Sequence, residues 1–388
     1  MKIADRINRI QPSITLEMTA KAAELRKSGI DVINLSVGEP DFDTPQNIKD
    51  AAQKAINEGM TKYTAGSGIP ELKKSIIKKL KRDNQLEFDL DNIIVSCGGK
   101  HTLYNACQVL FQKNDEVIIF SPYWVSFPDF VAVTGAKPVI VPTVPEQQYE
   151  PDFNALESSI NKNTKGIIIN SPSNPTGGVW RDEAIKRTLS IAKANNLWVF
   201  SDECYESLTY DSDFTSIQKF DSNNNKILTF QSCSKTYSMT GWRIGYTAGH
   251  PEIIKAMAKL QSQSTSCPNS IAQYAALEAL SGDQSEVLKM KQTFKRRRDL
   301  IISELNGIEG VQCENPGGAF YAFPCLEGLI KSNKIKNAWD FCFQLLEEKA
   351  IASVPGRSFG SENNIRFSYA ISSKQIKLAV QRIRETLN

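Results

Sequence analysis

From about residue 92 to 250 the chain alternates short β-branched runs with amphipathic stretches, and that alternation leaves few folds open. The strand candidates are Ile93–Ser96, Glu116–Phe120, Lys137–Val141, Gly166–Asn170, Trp198–Ser201, Ile227–Gln231 and Ile244–Ala248. Helical periodicity falls between several of them, at His101–Phe111, Asp182–Asn195 and Pro251–Gln261. Strands that alternate with helices build a mostly parallel sheet covered on both faces, an α/β architecture. In such sheets ligands sit at the carboxyl ends of the strands. The polar and glycine-rich segments that directly follow the strands are therefore the candidate site.

The flanks read differently. A long charged amphipathic helix runs over residues 284–306, through Lys295-Arg296-Arg297-Arg298. Pro316-Gly317-Gly318, an apolar run, a helix near Trp339–Lys349 and a last helix from Ser373 follow. These features predict a large domain over residues 46–284. A smaller α+β domain is expected from residues 1–45 together with 285–388. With 388 residues the chain is long enough for two such units.

A net charge of +3 is close to balanced and gives no support to a nucleic-acid partner, whose footprint is a strong basic excess. Lys73–Arg82 alternates lysines with apolar residues at helical spacing and reads as a solvated helix face. No apolar run at the start resembles a signal peptide, and none elsewhere is long enough to span a bilayer, so no membrane association is expected. Two histidines, His101 and His250, cannot build a His-rich metal site. Eight cysteines, scattered without a C-x-x-C pair, fit a reduced cytoplasmic protein.

Four post-strand segments supply what a phosphorylated aldehyde cofactor requires. In Ser96-Cys97-Gly98-Gly99-Lys100 the glycines let backbone amides close on an anion at a helix start, although a bare glycine turn reads the same way. Asn170-Ser171-Pro172-Ser173-Asn174-Pro175-Thr176-Gly177-Gly178 is a stiff loop that would hold Asn174 where a strand ends. Ser201-Asp202-Glu203-Cys204-Tyr205 follows the apolar Leu197–Phe200. A carboxylate there is costly unless it meets a cation, such as a protonated pyridine nitrogen; it could also be a helix cap. Ser232-Cys233-Ser234-Lys235 places a lysine just beyond a buried strand, where desolvation favours the nucleophilic free amine. Arg243, eight residues on, offers forked donors to a phosphate.

In this order the segments resemble the class I aminotransferases of the fold-type-I pyridoxal-phosphate superfamily. The resemblance runs from Ser36-Val37-Gly38-Glu39-Pro40-Asp41-Phe42 to Asn364-Ile365-Arg366-Phe367-Ser368-Tyr369-Ala370, with Ser234-Lys235-Thr236-Tyr237-Ser238-Met239-Thr240-Gly241-Trp242-Arg243-Ile244-Gly245 its most specific stretch. Pro12-Ser13-Ile14-Thr15, Gly98-Gly99-Lys100 and Ser262-Gln263-Ser264-Thr265 look like the bacterial aspartate aminotransferase branch. The resemblance implies pyridoxal 5'-phosphate as cofactor, with Lys235 as its Schiff-base lysine and proton shuttle. Asp202 would pair with the pyridine nitrogen, Tyr205 and Asn174 would donate to the phenolic oxygen, and Trp124 would stack on the ring. Gly99, Lys100, Ser232, Ser234 and Arg243 would hold the phosphate. Tyr63 would reach the phosphate of a neighbouring subunit, which implies a homodimer. Arg366, with Gly38 and Asn174, would grip the substrate α-carboxylate.

By the same resemblance the substrates are an amino acid and a 2-oxo acid. The animal-type enzymes hold a side-chain carboxylate with an arginine, but Leu260–Pro268 carries no cation here. In the bacterial branch the Gly-Gly-Lys lysine does this, helped by hydroxyls near the N-terminus; Lys100, Ser13 and Thr15 match, so aspartate or glutamate is expected. Gln11 stands where several prephenate users carry lysine, which weakens that alternative. Aromatic specificity, a carbon–sulfur lyase and a cofactor-binding regulator or scaffold are the other readings. The set Asp202, Lys235 and Arg366 speaks against a scaffold, and a chain that opens in the small domain is not expected to carry a fused DNA-binding module.

Overall fold

Five parallel neighbours form the middle of the main sheet in the computed structural model, which describes residues 3–12, 14–223 and 225–387. In chain order the eight strands are β1 (Ile93–Ser96), β2 (Glu116–Ser121), β3 (Lys137–Val144), β4 (Glu150–Pro151), β5 (Thr164–Asn170), β6 (Trp198–Asp202), β7 (Ile227–Ser232) and β8 (Gly245–Ala248). Their spatial order is β1-β8-β7-β6-β5-β2-β3-β4, with β7, β6, β5, β2 and β3 parallel. β8 is antiparallel to both its neighbours, and β4 to β3. All seven strands expected from the sequence form; β4, two residues long, carries no readable pattern.

The apolar runs are nearly continuous because both faces of the sheet are covered. Val117, Ile119, Ile168 and Phe200 pack on one side, and Ile118, Phe120, Ile167, Ile169 and Val199 on the other. This is the two-residue alternation of a strand. The register puts Asn170 beside Asp202, and Ser232 and Ser96 both beside Gly245. The carboxyl ends of β1, β5, β6 and β7 thus finish along one edge, where the four singled-out segments begin.

Both ends of the chain meet beyond that edge. Ile33–Asn34 pairs in parallel with Ile351–Ala352, and Ile365–Ser368 lies between Tyr321–Ala322 and Val354–Pro355. Arg297, on helix Ser285–Asn306, holds Asp41 through two hydrogen bonds of 2.6 and 2.8 Å. This tethers the N-terminal Gly38–Phe42 segment to the C-terminal half.

Helices Gln46–Asn57, Pro70–Asn84 and Ser270–Ser281 pack together beside the sheet. One expectation fails in part. The Lys73–Arg82 stretch is helical, but it is not simply a solvated face: Lys79 is 4% exposed. Lys79 falls on the inward stripe of Leu72, Ile76 and Leu80 at helical spacing, a core-facing position that its charge disguises. Among the described residues no helix is long and apolar enough to cross a membrane.

Candidate active site

The backbone first makes room for an anion. Helix Gly99–Leu110 starts behind Gly98, whose φ is +94°, and its first amides have no intrahelical acceptor. Arg243, itself left-handed at φ +58°, lays its guanidinium against this turn: a Cβ on Gly98 would sit 2.3 Å from Nη2. Glycine is therefore required at 98 by both conformation and space. Arg243 Nη1 donates to Thr240 O at 2.9 Å. Ser232 and Ser234 place their hydroxyls 2.9 Å apart at the end of β7. Helix-start amides, a guanidinium and two hydroxyls converge, the arrangement that binds phosphate.

Next to the cradle lie two buried charges of opposite sign that do not neutralise each other. Asp202, at the end of β6, is 7% exposed and accepts one hydrogen bond, from Cys204 N at 3.2 Å. Burial pushes its carboxyl up to about 7, against that single bond. Arg366 is 2% exposed and donates through Nη1 to Asn174 Oδ1 at 2.9 Å and through Nη2 to Ser36 O at 2.6 Å. Its Nε has no partner, and Tyr321 and Phe359 rings flank it at 4.7 and 5.0 Å. An arginine stays charged even where burial pulls its pKa down, as it does here.

In the same cleft Lys235 Nζ donates to Gly38 O at 2.5 Å. Burial lowers its pKa, with Arg366 and Arg243 adding to the effect against Cys204 and Glu39. Tyr205 shares a 2.8 Å hydrogen bond with the Tyr321 hydroxyl, and burial holds its proton on. Gly38 has no room for a side chain, because a Cβ would meet Tyr321 Oη at 2.6 Å.

Gly38, Gly99, Lys100, Trp124, Asn174, Asp202, Tyr205, Ser232, Ser234, Lys235, Arg243, Arg366 and Thr15 all line one cleft of about 790 Å³. Lys100 Nζ lies 4.9 Å from the centre of the Trp124 ring, and desolvation, then Arg243, lowers its pKa. Thr15 Oγ1 is buried and has no hydrogen-bond partner. Ser13 lies outside the described residues. Tyr63 does not line the cleft: it is 89% exposed.

Three contributors were not singled out from the sequence. Asn170 accepts from Asn174 N at 2.8 Å and donates to Asp202 O at 3.2 Å, so it joins two of the post-strand loops. Its place at the end of a strand, opening the Asn170–Gly178 loop, is the sequence signal that marks it. Tyr321 sits inside an apolar run and Ser36 contributes only a carbonyl, so neither carried a signal. Among the described residues no cluster of three or more metal-ligating side chains occurs.

The family model for aminotransferase class I and II matches residues 30–383. An aspartate aminotransferase of Bacillus subtilis is 45% identical over 386 residues, covering 99% of this chain and 98% of that protein. An aspartate/prephenate aminotransferase of Cereibacter sphaeroides is 46% identical over 390 residues, covering 98% of each. The chain belongs to the class I and II aminotransferases. Among solved structures, the aspartate aminotransferase of Thermus thermophilus with maleate superimposes with a TM-score of 0.94 at 38% identity, covering all of both chains.

In this aminotransferase the isolated charge of Asp202 gives a pH signature. Its carboxyl ionises near 3.8 ordinarily and near 7 in the fold. The folded, cofactor-free protein therefore keeps a proton that the unfolded chain has lost, and Asp202 costs stability increasingly as pH rises from about 4 to about 7. Asp202→Asn should stabilise the cofactor-free protein by ~2–4 kcal/mol at pH 8, with the gain shrinking toward zero near pH 4. Urea midpoints across that range check this; a pH-independent difference would contradict it.

Proposed function

We propose that this aminotransferase uses pyridoxal 5'-phosphate to exchange amino groups between aspartate or glutamate and the matching 2-oxo acids. The observation that carries the reading is the pair of buried charges, Asp202 and Arg366, that line one cleft with the amine of Lys235. The residues fit the cofactor. The Gly99 helix start, Ser232, Ser234 and Arg243 would take its phosphate, the lone carboxylate of Asp202 would take its pyridinium, and Lys235 would take its aldehyde. Tyr205, whose proton is held by burial, would donate to the phenolic oxygen together with Asn174. Trp124 would cover the ring.

When bound, this cofactor supplies an electron sink for the carbanion formed at the substrate α-carbon. The protein does the rest. Arg366, with Asn174 and Gly38, grips the α-carboxylate and fixes which substrate bond faces Lys235. Lys235, its pKa lowered by burial, would take the α-proton on Nζ and hold it for return. Asp202 would keep the pyridine nitrogen protonated. Lys100, with Thr15 and Ser13, would receive the second carboxylate; the maleate with the Thermus thermophilus aspartate aminotransferase is likewise a dicarboxylate.

A second substrate reading has an observation in its favour. The cleft is also lined by Ile10, Ile14, Val133 and Trp339, and its volume of about 790 Å³ gives room for a bulkier dicarboxylate; several relatives are named aspartate/prephenate aminotransferases. Transamination of prephenate alongside aspartate tests it directly. The eight cysteines are free, which supports a cytoplasmic setting. The exposed Tyr63 supports a homodimer in which it completes the partner's phosphate site.

Two outcomes follow from these assignments. Lys100→Met should lower catalytic efficiency for aspartate by ~2–5 kcal/mol, the scale of leaving a desolvated charge unpaired, while phenylalanine is little affected. Equal losses at saturating cofactor would assign Lys100 to the phosphate alone. Tyr63→Phe and Lys235→Ala chains, each impaired alone, should regain activity when mixed and re-paired, because one site per mixed dimer is undamaged. No gain on mixing would rule out the shared site.

A further inference from the structure

Directly behind the cofactor residues lies a buried polar cluster that neither the anion cradle nor the carboxylate clamp uses. Its centre is Lys79, on helix Pro70–Asn84. The Lys79 ammonium donates to Asn84 Oδ1 at 2.8 Å, to Gln231 Oε1 at 2.9 Å and to the Glu206 carboxylate. That satisfies all three of its protons. The other Glu206 oxygen accepts from Asn84 Nδ2 at 2.8 Å and Gln231 Nε2 at 2.7 Å. Tyr246, on β8, donates its hydroxyl to Gln231 Oε1 at 2.5 Å.

The cluster alternates in sequence with the site. Glu206 follows Tyr205, and Gln231 precedes Ser232. Successive residues of a strand face opposite ways, as Gln231 and Ser232 do at the end of β7, whereas Glu206 reaches the cluster from the turn after β6. Asp202 and Ser232 line the cleft, while Glu206 and Gln231 meet Lys79 behind it. One ammonium therefore ties together the segment that carries Asp202 and Tyr205, the segment that carries Ser232 and Lys235, and a helix outside the sheet. Glu203 extends the cluster: it is fully buried and accepts from Ser201 and Ser216 hydroxyls at 2.7 and 2.8 Å and from Ile217 N at 3.1 Å. Burial raises its carboxyl to about 7.

Stability alone is a weak reason for such a cluster, since well-packed apolar residues often replace a buried ion pair without loss. Geometry is a better one. Ion pairs and charge-assisted hydrogen bonds fix distances that apolar contacts leave loose. We propose that Lys79, Glu206 and Gln231 form a positioning unit that sets the placement of Asp202 relative to Lys235 for transamination. The inference rests on the function proposed above.

The test uses the holoenzyme and the cofactor-free protein of Lys79→Met and of Tyr246→Phe, the latter removing one hydroxyl without disturbing a charge. In Lys79→Met the pH midpoint of the Lys235-dependent cofactor absorbance should move by about one unit. Its kcat should fall about tenfold to a hundredfold with KM nearly unchanged, as expected for misplaced reacting groups. In the cofactor-free variant, amide hydrogen exchange should quicken at both Glu203–Tyr205 and Cys233–Lys235. Tyr246→Phe should show smaller changes of the same kind, and it decides the matter if Lys79→Met does not fold. Lower thermal stability with unchanged midpoint, kcat and exchange would overturn the proposal and leave the cluster a structural one. Absence of any Lys235-dependent absorbance in the unaltered protein would instead overturn the functional reading beneath it.

Discussion

The guanidinium of Arg366 is buried without a carboxylate beside it, and much of the fold serves to hold it there. Its partners are a carbonyl at Ser36, an amide side chain at Asn174 and the faces of Tyr321 and Phe359. These come from the N-terminal segment, the main sheet and the C-terminal third, so the pocket around the cation forms only when all three are assembled. Across the cleft Asp202 is the mirror case, a buried carboxylate with one backbone donor. Leaving both charges uncompensated costs the free protein stability. Ligands that carry the complementary charges recover it, because whatever binds the folded state alone stabilises that state.

The separation of these charges depends on strand geometry. Parallel strands covered on both faces end along one edge, where side chains can reach the cleft. Asn170, Asp202 and Ser232 are the last residues of three neighbouring parallel strands. The anion cradle needs closer approach still, and Gly98 and Gly245 provide it: side chains there would collide with Arg243 and with the Gly99 amide. Lys235 then sits one turn past β7, between cradle and clamp, where desolvation makes its amine a nucleophile.

Much of this was legible in the sequence because it follows from period and punctuation. The strand runs, the glycine pair before Lys100 and the Ser232–Arg243 string all formed as expected, and the cleft gathers the residues named from them. What stayed hidden depends on contacts between distant segments. Tyr321 is one aromatic residue in an apolar run, and its hydroxyl meets Tyr205 only in three dimensions. Lys79 stands on the inward stripe of Leu72, Ile76 and Leu80, but the partners that make a lysine tolerable there, Glu206 and Gln231, come from distant segments. Tyr63 is 89% exposed and lies outside the cleft of its own chain.

The account turns on one covalent assignment, and one measurement reaches it directly. Protein reconstituted with pyridoxal 5'-phosphate, reduced with borohydride, digested and mapped by mass spectrometry reports which lysine held the aldehyde. The structure predicts one modified site, Lys235, in the peptide that also carries Ser232 and Ser234. Stable modification at Lys100 or any other lysine, with Lys235 unmodified, would contradict it.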